Sequence, residues 1–141
     1  MSVIISTITP DLAPVIWPAI SDMIDRAIKH SNGELSLDSV LDKVEGSEML
    51  LLTADEGDTT LAAFILEKNH FPSGKTVLNI TITAGDNMEK WFAKSVEVAN
   101  NIAKKENCDE IYIVGRPGWK KMFSPLGYDE IHTVLSKKVE K

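Results

Sequence analysis

The stretch TVLNITITAGDNMEKWFAKSVEVANNIAKKENCDEIYIV, residues 76–114, carries the reading of the fold. Residues 76–83 alternate strictly, with Leu78, Ile80 and Ile82 on one side and Asn79, Thr81 and Thr83 on the other. That is the two-residue period of a half-buried strand. Met88, Phe92, Val96, Ala99 and Ala103 then recur at three- and four-residue steps, flanked by Trp91, Val98 and Ile102, which predicts a long helix over 88–106. Asn107-Cys108-Asp109 ends it, and EIYIV (110–114) reads as another strand. Strand, long helix and strand form a crossover, the connection that parallel neighbours need.

Upstream, EMLLLTA (48–54) and TLAAFILEK (60–68) flank the turn Asp55-Glu56-Gly57-Asp58 and predict an antiparallel hairpin. Phe71-Pro72-Ser73-Gly74 makes the next turn. Residues 3–8 predict a first strand. Apolar positions from Leu12 to Ile28 predict an amphipathic helix to about His30, with Thr9 or Asp11 as cap, Pro18 as a kink or break, and Ser31-Asn32-Gly33 as the stop. Leu37, Val40, Leu41 and Val44 predict a second short helix, N-capped by Ser36. Downstream, Gly115-Arg116-Pro117-Gly118 turns into a helix over 119–123, Leu126-Gly127-Tyr128 closes it, and YDEIHTVLSKKV (128–139) predicts a last strand. A run of antiparallel strands followed by a helical crossover gives an α+β class: a mixed, largely antiparallel central sheet with helices on both faces, in one domain over 1–141.

The 141 residues include 15 Lys and Arg against 21 Asp and Glu, a net charge of −6. That balance argues against non-specific nucleic-acid binding, which needs a basic footprint. A single cysteine, Cys108, excludes an internal disulfide and a thiolate-rich zinc site. No His, Cys, Asp and Glu set has metal-ligand spacing. The N-terminus has no basic residue before its short apolar run, and nothing approaches the roughly 18 continuous apolar residues of a membrane span. A reducing cytoplasm is the expected compartment. The charge is uneven. Residues 111–141 hold six basic against three acidic residues, with Arg116, Lys120 and Lys121 beside Gly118-Trp119 and Lys137, Lys138 and Lys141 in the tail. A solvated helix face and tail is the plain reading; a phosphate or an acidic partner is the other.

The element order resembles the GCN5-related N-acetyltransferases. LAAFILEK resembles that family's apolar-Gly-Phe step, with Ala63 in the glycine place. AKKENCDEIYIV (103–114) is similar to its passage from the long helix into the fifth strand. MFSPLGYDEIHTVLSKKV (122–139) is similar to its "fYeklGF" signature and terminal strand. The likeness covers nearly the whole chain. The run GRPGWKKMFSPLGYDEIHTVLSKKV (115–139) resembles the short members encoded by tailed bacteriophages, which implies a host cytoplasm or a virion. Homodimers are common among such folds.

The resemblance implies acetyl-CoA held in a splay between the fourth and fifth strands, with an amine as acceptor. It puts the cofactor against Ile82, Thr83, Gly85, Asn87, Met88 and Lys90, with backbone amides near Ile82 and Thr83 polarising the acyl carbonyl. Anions suit a helix N-terminus, where unpaired N–H groups and the helix dipole face them. Yet the family's glycine pattern falls on Asn87, Lys90 and Phe92, and Asp86 and Glu89 bring carboxylates to that end. The family's acid tyrosine falls on Phe123, and a phenyl ring donates no proton; Tyr128 stands in a place usually reserved for packing. A base must take the amine's proton. Glu67 and His70, at the end of the third strand, are the candidates, each weighed against a plain exposed carboxylate or a solvated loop histidine. His132 reads as a sheet-surface residue, and His30 as a helix-terminal one that suits the dipole. Asn79, Thr81 and Thr83 either line a polar cleft or form the solvent face of a strand. Two functions stay open: an acyl-CoA-dependent N-acyltransferase, or a non-catalytic protein on the same fold, associated with a virion or a host partner.

Overall fold

A computed structural model describes residues 2–31, 33–115 and 118–140. The elements follow the order β1 (Val3–Ile8), α1 (Ala13–Ile28), α2 (Leu37–Glu45), β2 (Leu50–Glu56), β3 (Thr59–His70), β4 (Thr76–Gly85), α3 (Phe92–Lys105), β5 (Glu110–Ile113) and α4 (Gly118–Phe123). The strands form one five-stranded sheet in the order β1-β2-β3-β4-β5. The first four are antiparallel neighbours, and β4 and β5 are parallel. This is the mixed sheet expected from the sequence.

Each face of the sheet carries its own core. Helices α1 and α2 lay Trp17, Ile20, Ile24, Val40 and Val44 over Leu51, Ala63 and Ile65. On the other face, Trp91 and Ala103 pack over Leu52, Ala62, Phe64, Leu66 and Leu78. Strand β3 serves both, because alternate side chains leave opposite faces of a strand.

Helix α1 runs unbroken through Pro18. Proline forfeits one intrahelical N–H bond, to the carbonyl of Pro14 in the first turn, and a buried stripe of Trp17, Ile20, Ile24 and Ile28 holds the helix to the sheet regardless. Neither Thr9 nor Asp11 caps it by side chain; the Thr9 carbonyl instead accepts from the N–H groups of Leu12 and Ala13. Ser36 does cap α2, in a reciprocal box with Ser39. The helix ends at Ile28, with Lys29 as its C-cap, ahead of the stop expected at Ser31-Asn32-Gly33, of which Asn32 lies outside the described residues.

Two expectations are corrected. The long helix does not start at Met88: residues Met88–Lys90 form a 3-10 turn and α3 begins at Phe92. The last strand is absent. Residues 128–140 form no element, and from Asp129 onward all are exposed. Alternation gives a segment strand propensity, but a strand needs a hydrogen-bonded neighbour. Among the described residues no strand pairs with 128–139.

A third correction concerns β4. Ile65 of β3 faces Ile82, yet Leu66 faces Ile80, so Thr81 is an extra residue in β4. It is a β-bulge, and a one-residue insertion turns every later side chain to the other face. Leu78 and Ile80 therefore pack on the α3 side, whereas Ile82 and Ala84 pack under α1.

Candidate functional site

The bulge sits where the sheet opens. Strand β5 pairs with β4 from Val77↔Glu110 to Ile80↔Ile113 and then ends. The near end is pinned. The Asp109 N–H donates to the Thr76 carbonyl at 2.7 Å, and the Thr76 N–H donates to the Asp109 carboxylate at 2.9 Å. Beyond Ile80, residues 81–85 of β4 have no β5 partner among the described residues. Bulges bend the strand that carries them and raise its twist. Residues 81–85 therefore present one edge of unpaired backbone among the described residues, able to hydrogen-bond an extended, amide-bearing ligand as another strand would.

On the α3 side this stretch of β4 adjoins a narrow apolar cleft of about 30 Å³. Ile80 and Thr83 from β4, Phe92 and Ser95 from α3, Trp119 and Phe123 from α4, and Tyr128 line it. Its aromatic rings interlock. Phe92 meets Phe123 edge-on at 5.3 Å, and Tyr128 meets Phe123 edge-on at 5.1 Å. Trp119 lies so close over Gly115 that a Cβ there would come within 2.4 Å of the indole. The Tyr128 hydroxyl is buried in this setting without a hydrogen-bond partner. Burial pushes its phenol above the ordinary tyrosine range, so it stays protonated at neutral pH. Tyr128 is the functional candidate that sequence reasoning missed. Its place in the signature signalled packing, and only the fold shows it lining a cleft with its hydroxyl buried and unpartnered.

The other face of the gap is polar. Glu67 stands across the strand pair from Asn79, and Tyr112 from Asn79 on the far side. The Asn69 amide donates to Glu67 Oε1 at 2.7 Å, and the Asn79 amide donates to Thr81 Oγ1 at 3.2 Å. Asn79 Oδ1 is buried and unpartnered. Nearby, Met23, Arg26, Ala27 and His30 of the α1 end face residues 83–85 across an open cleft. Glu67 and His70 are not brought together. Three residues apart on one strand, they leave opposite faces. His70 Nδ1 instead lies 2.8 Å from Thr76 Oγ1. His132 lies on the exposed C-terminal segment rather than on a sheet surface.

Of the cofactor-binding candidates, Ile82, Thr83 and Gly85 line the free stretch of β4, whereas Asn87, Met88 and Lys90 form the turn into α3. Gly85 is required by the fold itself. A Cβ there would stand 2.3 Å from the Leu61 carbonyl oxygen, and its φ is +138°. Asn87 takes the left-handed conformation, φ 58°. Trp91, 1% exposed, fills the loop from beneath, packs edge-on against Phe64 and donates its indole N–H to the Asp86 carbonyl at 2.8 Å. The acidic residues are accommodated elsewhere. Asp86 faces Arg26 at 3.7 Å, and Glu89 precedes α3, whose first turn has no acidic residue. Lys90 reaches Glu56 at 3.1 Å. The free edge of β4 has the extended backbone that an amide-bearing arm could pair with. No second glycine lies between Gly85 and Phe92, and no side chain caps the start of α3.

Arg116 and Pro117 lie outside the described residues, as does Lys141, so the basic cluster is described only in part. Lys120 pairs with Glu130 at 3.5 Å. Among the described residues no three His, Cys, Asp or Glu side chains gather as a metal site, and no helix is long and apolar enough to cross a membrane.

No protein-family model matches the sequence, and no curated protein matches it. Solved structures do match it. A ribosomal-protein-alanine N-acetyltransferase from Brucella melitensis biovar Abortus 2308 superposes with a TM-score of 0.71 at 12% identity, covering 98% of this chain and 100% of its own. An aminoglycoside acetyltransferase from an uncultured soil metagenomic sample reaches 0.73 at 12%, covering 99% and 100%. A predicted acetyltransferase from Clostridium acetobutylicum, solved with acetyl-CoA, reaches 0.71 at 14%, covering 96% of each chain. At such identities the likeness speaks for the fold. The fold is that of the GCN5-related N-acetyltransferases.

Proposed function

We propose that this chain is an acyl-CoA-dependent N-acyltransferase. One observation carries the reading: β4 runs on without a β5 partner beyond Ile80, beside a cleft that Tyr128 lines, and an unpartnered buried polar atom stands near that point on each face, Tyr128 Oη on one and Asn79 Oδ1, at the end of the paired stretch, on the other. Buried polar groups are nearly always paired, so two orphans beside one gap point to a ligand between them.

Bound there, acyl-CoA supplies an activated acyl carbon joined to sulfur. The free backbone of residues 82–85 holds the arm in extended form, and its N–H groups polarise the carbonyl oxygen. Asn79 Oδ1 accepts a hydrogen bond from the amine as it approaches from the α1 face. Glu67 takes the amine's proton, directly or through one water, as the nitrogen–carbon bond forms. On the opposite face the Tyr128 hydroxyl gives its proton to the departing sulfur as the carbon–sulfur bond breaks. Tyr128 thus takes the part that Phe123 cannot play. Phe92, Trp119 and Phe123 keep bulk water from the reacting atoms. The first turn of α3, with its uncapped N–H groups, meets the diphosphate. A cytoplasmic setting suits such a co-substrate.

A second reading is a non-catalytic protein of the same fold, contacting a virion or host component. Gly85 favours it, because that glycine serves the close approach to β3 rather than a phosphate. Thermal unfolding with millimolar acetyl-CoA separates the two. A ligand of the native state raises the melting temperature by mass action. The acyltransferase reading expects a rise; an unchanged melting temperature refutes it and leaves the contact protein.

A further inference from the structure

Among the described residues, clefts adjoin the free stretch of β4 on both sides, and the larger lies towards α1. The cleft that Tyr128 lines measures about 30 Å³; the one between the end of α1 and residues 83–85 measures about 120 Å³ and opens to solvent. Its far wall follows from the sequence of α1. The buried stripe of that helix is Trp17, Ile20, Ile24 and Ile28. Met23, Arg26, Ala27 and His30 recur at three- and four-residue steps beside it, and all four line the cleft. Met23 and Ala27 pack against the core, which leaves Arg26 and His30 as the polar side chains of that wall.

The charge in the cleft has one sign. Arg26 offers a fork of N–H donors, and His30 offers at least one N–H whichever ring nitrogen carries its proton. Among the described residues no carboxylate lines the cleft. The last carbonyls of α1 are already engaged: Asp25 accepts from the Lys29 N–H, Ala27 from His30 and Ile28 from Ser31. Asp86 stands 3.7 Å from Arg26, too far for a hydrogen bond, and the two side chains are 62% and 72% exposed. Such a surface pair is weak. A carboxylate that meets the guanidinium face to face takes two parallel hydrogen bonds and outcompetes it.

We propose that this cleft binds a carboxylate carried by the acceptor, so that the acceptor is an amine with an acidic group at a distance, as in a short peptide. The inference rests on the acyltransferase reading and names its substrate class. Position separates this group from the cofactor. In that reading the arm lies along the β4 edge and the diphosphate at the start of α3, whereas the cleft opens on the α1 face, from which the amine approaches Asn79. Length sets the class. From Asn79 to Thr83 is four steps of strand, about 13 Å at about 3.3 Å each, less what the bulge takes up. The amine and carboxylate of a free α-amino acid share one carbon and do not reach both ends. An extended tripeptide spans about 10 Å, and a long arginine side chain makes up the difference.

The test compares triglycine with triglycinamide, in which a neutral amide replaces the carboxylate. Both are titrated calorimetrically into the full chain with CoA present, since CoA fills the cofactor's place with no acyl group to transfer. Triglycine is expected to bind at least about tenfold more tightly than triglycinamide. Arg26→Gln should abolish that preference. Arg26→Lys should keep part of it, because lysine holds the charge without the fork. Asp86→Asn removes the same ion pair but leaves Arg26 without a competitor, so it should sharpen the preference. If Asp86→Asn behaves like Arg26→Gln, the ion pair is structural and the proposal falls. It falls too if the wild type binds both peptides alike, or neither. The cofactor is read separately, by the melting temperature in acetyl-CoA. Arg26→Gln should leave that rise unchanged; its loss would give the cleft to a phosphate of the cofactor and overturn the proposal. A wild type whose melting temperature ignores acetyl-CoA refutes the acyltransferase reading, and the acceptor role of the cleft with it. Equal binding of the two peptides beside an intact rise refutes the carboxylate site alone.

Discussion

Two residues show how chemistry and fold divide the site between them. Gly85 answers to the fold: alanine there would drive a methyl group into the Leu61 carbonyl and Ala62, at a φ that side chains rarely adopt. Gly85→Ala is expected to lower unfolding free energy by about 3 kcal/mol, from strain and overpacking together, read by urea denaturation. A surface loop glycine would lose far less, so a loss under about 0.5 kcal/mol would show that Gly85 is free for a ligand. Tyr128 answers, in the proposed reaction, to chemistry. Its folded-state phenol titrates above the value near 10 expected when unfolded. The folded chain therefore holds that proton more tightly. This contribution to stability is complete below about pH 10 and is lost as pH rises through the raised folded value. The wild-type melting temperature should fall above about pH 10 more steeply than that of Tyr128→Phe. The same variant should lose acyl transfer while still melting higher in acetyl-CoA. Equal pH slopes would mean that the hydroxyl is solvated. These roles are only partly legible in the sequence. Glu67 and His70 are close along the chain, yet strand parity separates them. Tyr128 reads as packing until Phe123 and the cleft are seen around it.

At the scale of the element, the decisive feature is the bulge in β4. The strands themselves are legible, because LLLTADE and 59–70 carry short continuous apolar runs on either side of a Gly57 turn and because Ser36 announces α2. The bulge is not. Thr81 is compatible with either face, so the pattern in TVLNITIT looks regular while the register slips beneath it. The missing terminal strand has a different cause. Its alternation is real, but pairing is a property of two segments, and among the described residues none pairs with this one. The bulge gives a sharp prediction. Deleting Thr81 would leave Ile80 on the α3 side and Ile82 on the α1 side, since the strand would then alternate without interruption. Both cores keep their side chains, and the reason for β4 to leave β5 disappears. The shortened chain is expected to stay folded, within about 1 kcal/mol of the parent in urea. It should lose at least tenfold in acetyl-CoA affinity by calorimetry. Unchanged affinity would show that the gap does not depend on the bulge.

The molecule as a whole depends on a sheet that is shared by two cores. Ala63 and Ile65 of β3 belong to the core under α1 and α2, and Ala62, Phe64 and Leu66 to the core under α3. Neither core is sealed without the strand, and the strand's hydrogen bonds are secured only when both faces are covered. Small domains with one continuous set of interactions usually unfold all at once. Trp17 reports on the first core and Trp91 on the second, and both are buried. Two reporter chains separate them. One keeps only Trp17, through Trp91→Phe and Trp119→Phe; the other keeps only Trp91, through Trp17→Phe and Trp119→Phe. Within each chain, fluorescence and far-ultraviolet dichroism should give the same urea midpoint. Ile65→Ala touches only the first core, yet it should lower stability in both reporter chains alike, by about 2–5 kcal/mol for a fully buried large-to-small change. If the Trp91 signal kept its midpoint while the Trp17 signal moved, the two faces would be separate folding units. The gap between β4 and β5 would then open and close without reference to α1, and the polar face that brings Glu67 and Asn79 to the split would lose its rigid support.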